Sequence, residues 1–252
     1  MVCNRDERRD RPAATPPQLR CQQDRTAIFP VDPVGAGTWV GVNEAGLAAT
    51  LLNRTMDGAV RRQRAACSRG SIVPSVLAHG SLRRAIAAAE RLDPTSFEPF
   101  RLVLVHGFTV GVVNSDGYGL SRKISRMSAP LLFTSSSLGD ALVEEPRRRL
   151  FERQVVADQS GWLCGQFRFH RHQWMERPEI SVCMERSDAL TVSRTVIDVS
   201  SRAIQLCYEP LGSGSVSEKW EHAPSRPASP AKNAHHSKYD RARSRPVVVE
   251  AA

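Results

Sequence analysis

Two short apolar runs, TWVGVN at positions 38–43 and LAATLLN at 47–53, stand only three residues apart, and they constrain the fold more than any other feature. Runs this short read as strands rather than helices. The joining Asn-Glu-Ala-Gly supplies hairpin chemistry, with Gly46 free to take the positive φ of a tight turn and Asn43 read as a turn residue. A hairpin is therefore predicted here. After Ser81, a suitable cap, residues Leu82, Ala85, Ile86, Ala89 and Leu92 fall at helical spacing until Asp93-Pro94 stops the helix. RLVLV and TVGVV, separated by HGF, predict a second hairpin, and Asp116-Gly117 marks a further turn. A second helix is expected from around Pro146, with Glu144-Glu145 at its positive N-terminus and Leu150 and Phe151 turned to the core. ISVCM, TVSRTVIDV and AIQLCY alternate as β segments, the last two joined at Ser200-Ser201-Arg202. This order of elements fits an α+β domain without internal repeats.

The chain has 252 residues and 41% hydrophobic content, enough for a sizeable core. No apolar run approaches the roughly 18–20 residues a spanning helix needs, and MVCNRDERRD is charged where a secretory segment would be apolar. The expectation is a cytoplasmic protein without a membrane span. A folded unit is expected over 1–211 and a disordered basic tail over 212–252, which is rich in Ser, Pro, Ala and charge. His235 and His236 in that tail lack any further ligand pattern, so no metal and no cofactor are expected. The six cysteines are scattered without a CxxC pair and are expected to be reduced, with Cys183 and Cys207 acting as buried small hydrophobes.

A formal charge of +9 invites a nucleic-acid reading. The excess is nearly all arginine, since only Lys123, Lys219, Lys232 and Lys238 are lysines, and part of it falls in the tail. No single basic face can be read from it, so no specific nucleic-acid partner is expected.

CNRDERRDRP at 3–12, GAGTWVGVNEAGLAATLLNR at 35–54 and CSRG at 67–70 together resemble the NRDE family, relatives of transport and Golgi organisation protein 2. The family takes its name from Asn4, Arg5, Asp6 and Glu7. Further segments up to about Tyr208 are similar as well. The resemblance implies an αββα sandwich of N-terminal-nucleophile hydrolase type, the fold of penicillin V acylases and bile-salt hydrolases. There an N-terminal cysteine attacks an amide while its own α-amine takes the proton. Family members begin Met-Cys and run one strand before the NRDE block, whereas this sequence starts Met1-Val2-Cys3 at that block, so the resemblance implies a missing first strand. Cys3 matches the residue before NRDE, not the nucleophile, and its nitrogen lies in a peptide bond. Two explanations stand: a start codon assigned too far downstream, or a member that has lost catalysis and only binds.

The resemblance also implies roles. Arg5 and Asp6 lie where the acylases carry an Arg and an Asp beside the nucleophile, although the acylases place two residues between them. A charge network that locks the strand end is the other reading of NRDE. Asn53 ends its strand much as an oxyanion-hole Asn does in bile-salt hydrolases. Arg5, Asp6 and Asn53 are thus the candidate catalytic residues, and Asn4 and Glu7 the candidate substrate-binding ones. The implied function is that of a relative of cysteine amide hydrolases acting on a small-molecule amide, inactive without its nucleophile. The alternative is a non-catalytic carrier or chaperone of haem or another hydrophobic ligand. His170 and His172, read on a strand FRFHRH, would share one face. Without a third ligand they read as hydrogen-bonded or solvent-facing histidines. Ser135, Ser136 and Ser137 lack a GxSxG elbow and read as a loop or cap.

Overall fold

The computed structural model describes residues 1–23, 25–56, 67–157, 162–211, 218–222 and 247–249, the last two stretches as backbone strands. One sheet is an antiparallel meander of seven neighbours: β2 (Thr15–Gln22), β3 (Arg25–Val31), β4 (Val40–Asn43), β5 (Ala48–Asn53), β6 (Phe100–His106), β7 (Thr109–Ser115) and β8 (Leu120–Arg126). The other places β1 (Val2–Arg8) beside β10 (Ala189–Val199), then β11 (Ile204–Pro210) and β12 (Glu218–His222). On the far side of β1 come β13 (Val247–Val249) and β9 (Leu131–Phe133). Among the described residues, the link from β1 to β13 is the single register pair Val2 with Val248. The expected division at residue 212 falls largely outside the described residues.

The sheets pack face to face. Their shared core joins Cys3, Ile28, Trp39, Val40, Val42, Leu52, Val103, Ile197, Leu206 and Tyr208. Helices α1 (Ile72–Leu77) and α2 (Leu82–Ala89) cover the outer face of the meander through Val73, Val76, Leu77, Ala85 and Ile86. Helices α3 (Asp140–Phe151) and α4 (Trp162–His170) form a further small core from Leu150, Phe151, Val155, Phe169 and Val182, and α4 packs on β1. The molecule is thus an α+β protein layered helix, sheet, sheet, helix.

The hairpin β4–β5 forms with Gly46 at φ 77°, and Asn43 Oδ1 accepts from the Ala45 and Leu47 amides. Ser81 caps α2 by accepting from the Arg84 amide. The β6–β7 and β10–β11 hairpins also follow the sequence pattern.

Three expectations are corrected. The second helix begins at Asp140, not near Pro146, and Pro146 lies inside it. The missing amide hydrogen is tolerated because Val143, Arg147, Leu150 and Phe151 all bury on one side. Glu144 and Glu145 are therefore mid-helix and pair with Arg148 and Arg149 one turn on. Second, FRFHRH is no strand: its first four residues end α4, and Arg171 and His172 lie past the helix. Gly165, Gln166, Phe169 and His170 bury at helical spacing, so His170 and His172 do not form a same-face pair. Third, ISVCM forms no strand. The carbonyls of Ile180, Ser181 and Val182 accept from Arg147 and Asn4 instead of a neighbouring strand. The hairpin β2–β3 had no counterpart in the sequence pattern, since Pro16 and Pro17 discourage a strand assignment. β2 tolerates them as an edge strand.

A charged cavity at the end of the first strand

β1 pairs regularly with β10 until Arg5, where the register shifts before Asp6 pairs with Thr191. Such a bulge bends the strand and re-aims its side chains. Beyond it the strand end faces the turn after β3 and the loop before α1, and a cavity of about 270 Å³ opens between them. Arg5, Asp6, Glu7, Arg11, Asp32, Trp39, Asn53 and Arg69 are among its lining residues.

Arg5 is 6% exposed, lies 4.4 Å over the Trp39 ring, and donates to Asp32 Oδ2 at 3.0 Å and to Glu7 Oε2 at 3.1 Å. Arg11 reaches the same Asp32 oxygen at 2.7 and 2.9 Å and pairs with Glu7 at 3.3 Å. The other Asp32 oxygen accepts from the Val34 and Gly35 amides. Burial works to raise the Asp32 pKa, but these donors, Arg11 foremost, hold it below the usual carboxylate range. Burial pushes Asp6 up to about 6, opposed by the Thr191 hydroxyl donating at 2.5 Å and by the charges of Arg147 and Arg186.

The wall opposite β1 depends on two glycines. A Cβ on Gly37 would meet the Gly70 carbonyl carbon at 2.5 Å, and the Thr38 amide donates to Gly70 O at 2.9 Å. This contact seats Arg69 against the cavity, where its Nη1 donates to Pro99 O at 2.9 Å.

Of the residues singled out in the sequence, the cavity brings together Arg5, Asp6, Glu7 and Asn53. Asn4 does not line it. Fully buried on the opposite face of β1, its amide donates to His170 O and Val182 O, both at 2.9 Å, and its oxygen lies 3.2 Å from His170 Nδ1. Burial, with the charge of Arg194 nearby, drops the His170 pKa to about 3. Cys3 points into the core between the sheets, 3.7 Å from Thr50 Oγ1. Burial drives its thiol up to about 12, although the Thr50 hydrogen bond and the nearby Met1 ammonium pull the other way. Ser136 is a loop residue whose hydroxyl accepts from the Leu138 amide. Cys183 and Cys207 are half-buried.

Sequence reasoning missed Arg11, Asp32, Trp39 and Arg69. The GAG and CSRG segments were visible as motifs, and their glycines are the ones that pack against each other.

A second, larger cavity of about 590 Å³ lies against α4 and the β10–β11 pair, with Phe108, Met127, Trp162, Leu163, Phe167 and Arg194 in its walls. The Arg194 guanidinium pairs with Glu209, but its Nε and Nη1 have no hydrogen-bond partner among the described residues. Among the described residues no helix is long and apolar enough to cross a membrane.

Two largely antiparallel sheets between two helical layers, with a charged cavity at the end of the first strand, define an α+β sandwich protein. The sequence profile described as Transport and Golgi organisation 2 matches residues 1–150, and the chain belongs to that family. The match covers β1 through most of α3 and so takes in the whole charged cavity. No curated protein matches the chain.

Proposed function

We propose that this chain binds a small-molecule amide in the charged cavity, in the cytoplasm, as a relative of the N-terminal-nucleophile cysteine amide hydrolases, and that Cys3 takes no part in bond cleavage. The observation that carries this reading is the split between the cavity and the thiol. Arg5, Asp6, Glu7 and Asn53 share one polar cavity, while Cys3, in the same strand, is sealed on the core side with its thiol pushed up to about 12. A neutral, buried thiol is a poor nucleophile. Asn53 at the cavity rim offers an amide to a ligand carbonyl, and the Arg5–Asp32–Arg11–Glu7 network holds the rest of the wall rigid. The layering of helix, sheet, sheet and helix is what such a relationship requires.

The test is turnover and labelling together. A panel of N-acyl amides should show no hydrolysis that disappears in Cys3→Ala. A thiol alkylator should modify the exposed Cys21, Cys67 and Cys164 long before Cys3. Hydrolysis abolished by Cys3→Ala would refute the proposal.

The second reading, a carrier of haem or another hydrophobic ligand, is favoured by the 590 Å³ apolar cavity. Titration with haemin, and with a fluorescent fatty acid, should saturate at one site and be blocked by Leu163→Arg. Binding unchanged in that variant would remove the cavity as the site.

A further inference from the structure

The charges that face the polar cavity are matched almost completely within the protein. Arg5 and Arg11 share Asp32 and Glu7. Asp6 takes the Thr191 hydroxyl and lies in the field of Arg147 and Arg186. Arg69 is the exception. It forms no ion pair with a described residue, and its one hydrogen bond is to the Pro99 carbonyl. Glu98, which is exposed, reaches it only as a longer-range charge, and burial works against the guanidinium. One of the five N–H donors of a guanidinium is thus committed, on a side chain whose backbone is pinned by the Gly37–Gly70 contact.

A fixed, partly desolvated guanidinium in a cavity wall is suited to a carboxylate or phosphate oxygen. The remaining wall decides between them. Asp6, Glu7 and Asp32 line the same cavity of about 270 Å³, so a dianionic phosphate would meet three carboxylates, whereas a monoanion balances the single unmatched cation.

We propose that Arg69 is the anion-recognition residue of this cavity and that the ligand carries a carboxylate beside its amide, as an N-acylated amino acid does. The inference rests on the amide-binding reading and names its ligand class: Asn53 addresses the amide, Arg69 the carboxylate.

The test is calorimetric titration of the full chain with N-acetylglycine, N-acetylglycinamide and inorganic phosphate. The acid should bind about 10-fold tighter than the neutral amide, the usual gain of one charge-assisted hydrogen bond. In Arg69→Gln the acid should fall to the affinity of the amide, with the amide unchanged, and Arg69→Lys should restore part of the preference. Asn53→Ala should weaken both compounds alike. The acid-to-amide ratio is internal to each variant, so it remains readable even if Arg69→Gln is less stable. Equal binding of acid and amide by the unaltered chain, or a preference that survives Arg69→Gln, overturns the role of Arg69 and leaves the amide reading standing. Binding of neither compound overturns both. Phosphate binding tighter than the acid overturns the assignment of a carboxylate.

Discussion

β1 carries two polar regions, one on each face, and they solve the problem of buried charge differently. Toward the charged cavity, Arg5 and Arg11 are neutralised by Asp32 and Glu7 in a network that stays partly open. Toward α3 and α4, the closed region contains Asn4, His170 and Arg147, whose hydrogen bonds to described residues run to carbonyls and hydroxyls. Arg147, 1% exposed, donates to Ile180 O, Ser181 O, Ser135 O and Thr134 Oγ1. The closed region ties two irregular loops to the sheet, which is structural work. The open one keeps its charges beside a space a ligand can enter. The NRDE block therefore divides: Asn4 holds the fold together, whereas Arg5 and Glu7, either side of the bulge, shape the cavity.

The sharpest way to break this contrast is to remove Arg147. Arg147→Met would remove the donor to four acceptors in this region and should cost roughly 3–5 kcal/mol, comparable to losing one partner of a buried charged network. Denaturant unfolding measures it. Ligand affinity of the fraction that remains folded should be unchanged, and a loss below about 1 kcal/mol would show that the closed region does not hold the loops.

A smaller effect, opposite in sign for Asp6 and His170, comes from pH. Asp6 has a folded pKa raised to about 6, so the unfolded state ionises first and stability falls as pH rises from about 4 to 6. Asp6→Asn should therefore gain on the native chain by roughly 2 kcal/mol between pH 4 and pH 7, the residue's partial exposure trimming the full value. His170 is depressed to about 3, so its contribution is complete above about pH 6.5 and is lost as pH falls below that value. At pH 5 the native chain should have lost roughly 2 kcal/mol that His170→Gln does not lose. Parallel pH trends for the two variants would show that burial does not act on Asp6 and His170 in opposite directions.

The smallest effect is expected at the cavity mouth. The Arg11 side chain is 30% exposed, and Asp32 keeps Arg5 and two backbone donors without it, so Arg11→Ala should cost about 1 kcal/mol or less. A cost of several kcal/mol would mean that the open network bears on the fold as heavily as the closed one.

How much could be read in advance follows the range of the forces involved. The hairpins β4–β5, β6–β7 and β10–β11 and helix α2 are written in short-range pattern, turn chemistry and caps, so local sequence was enough to determine them. The family resemblance lay in order-matched motifs and pointed to Arg5, Asp6, Glu7 and Asn53. What contact across the fold decided is everything that depends on a distant partner. Buried contacts kept α3 helical through Pro146 and made the start of FRFHRH the last turn of α4. The demand of Arg147 and Asn4 for acceptors took the ISVCM carbonyls away from any strand. Asp32, Arg11 and Arg69 joined the cavity because the segment after β3 and the loop before α1 close on β1, the latter two meeting through Gly37 and Gly70. The fate of Cys3 was settled the same way: it shares a strand face with Arg5, but it sits further back along β1, packed in the core between the sheets, where desolvation outweighs every charge near it.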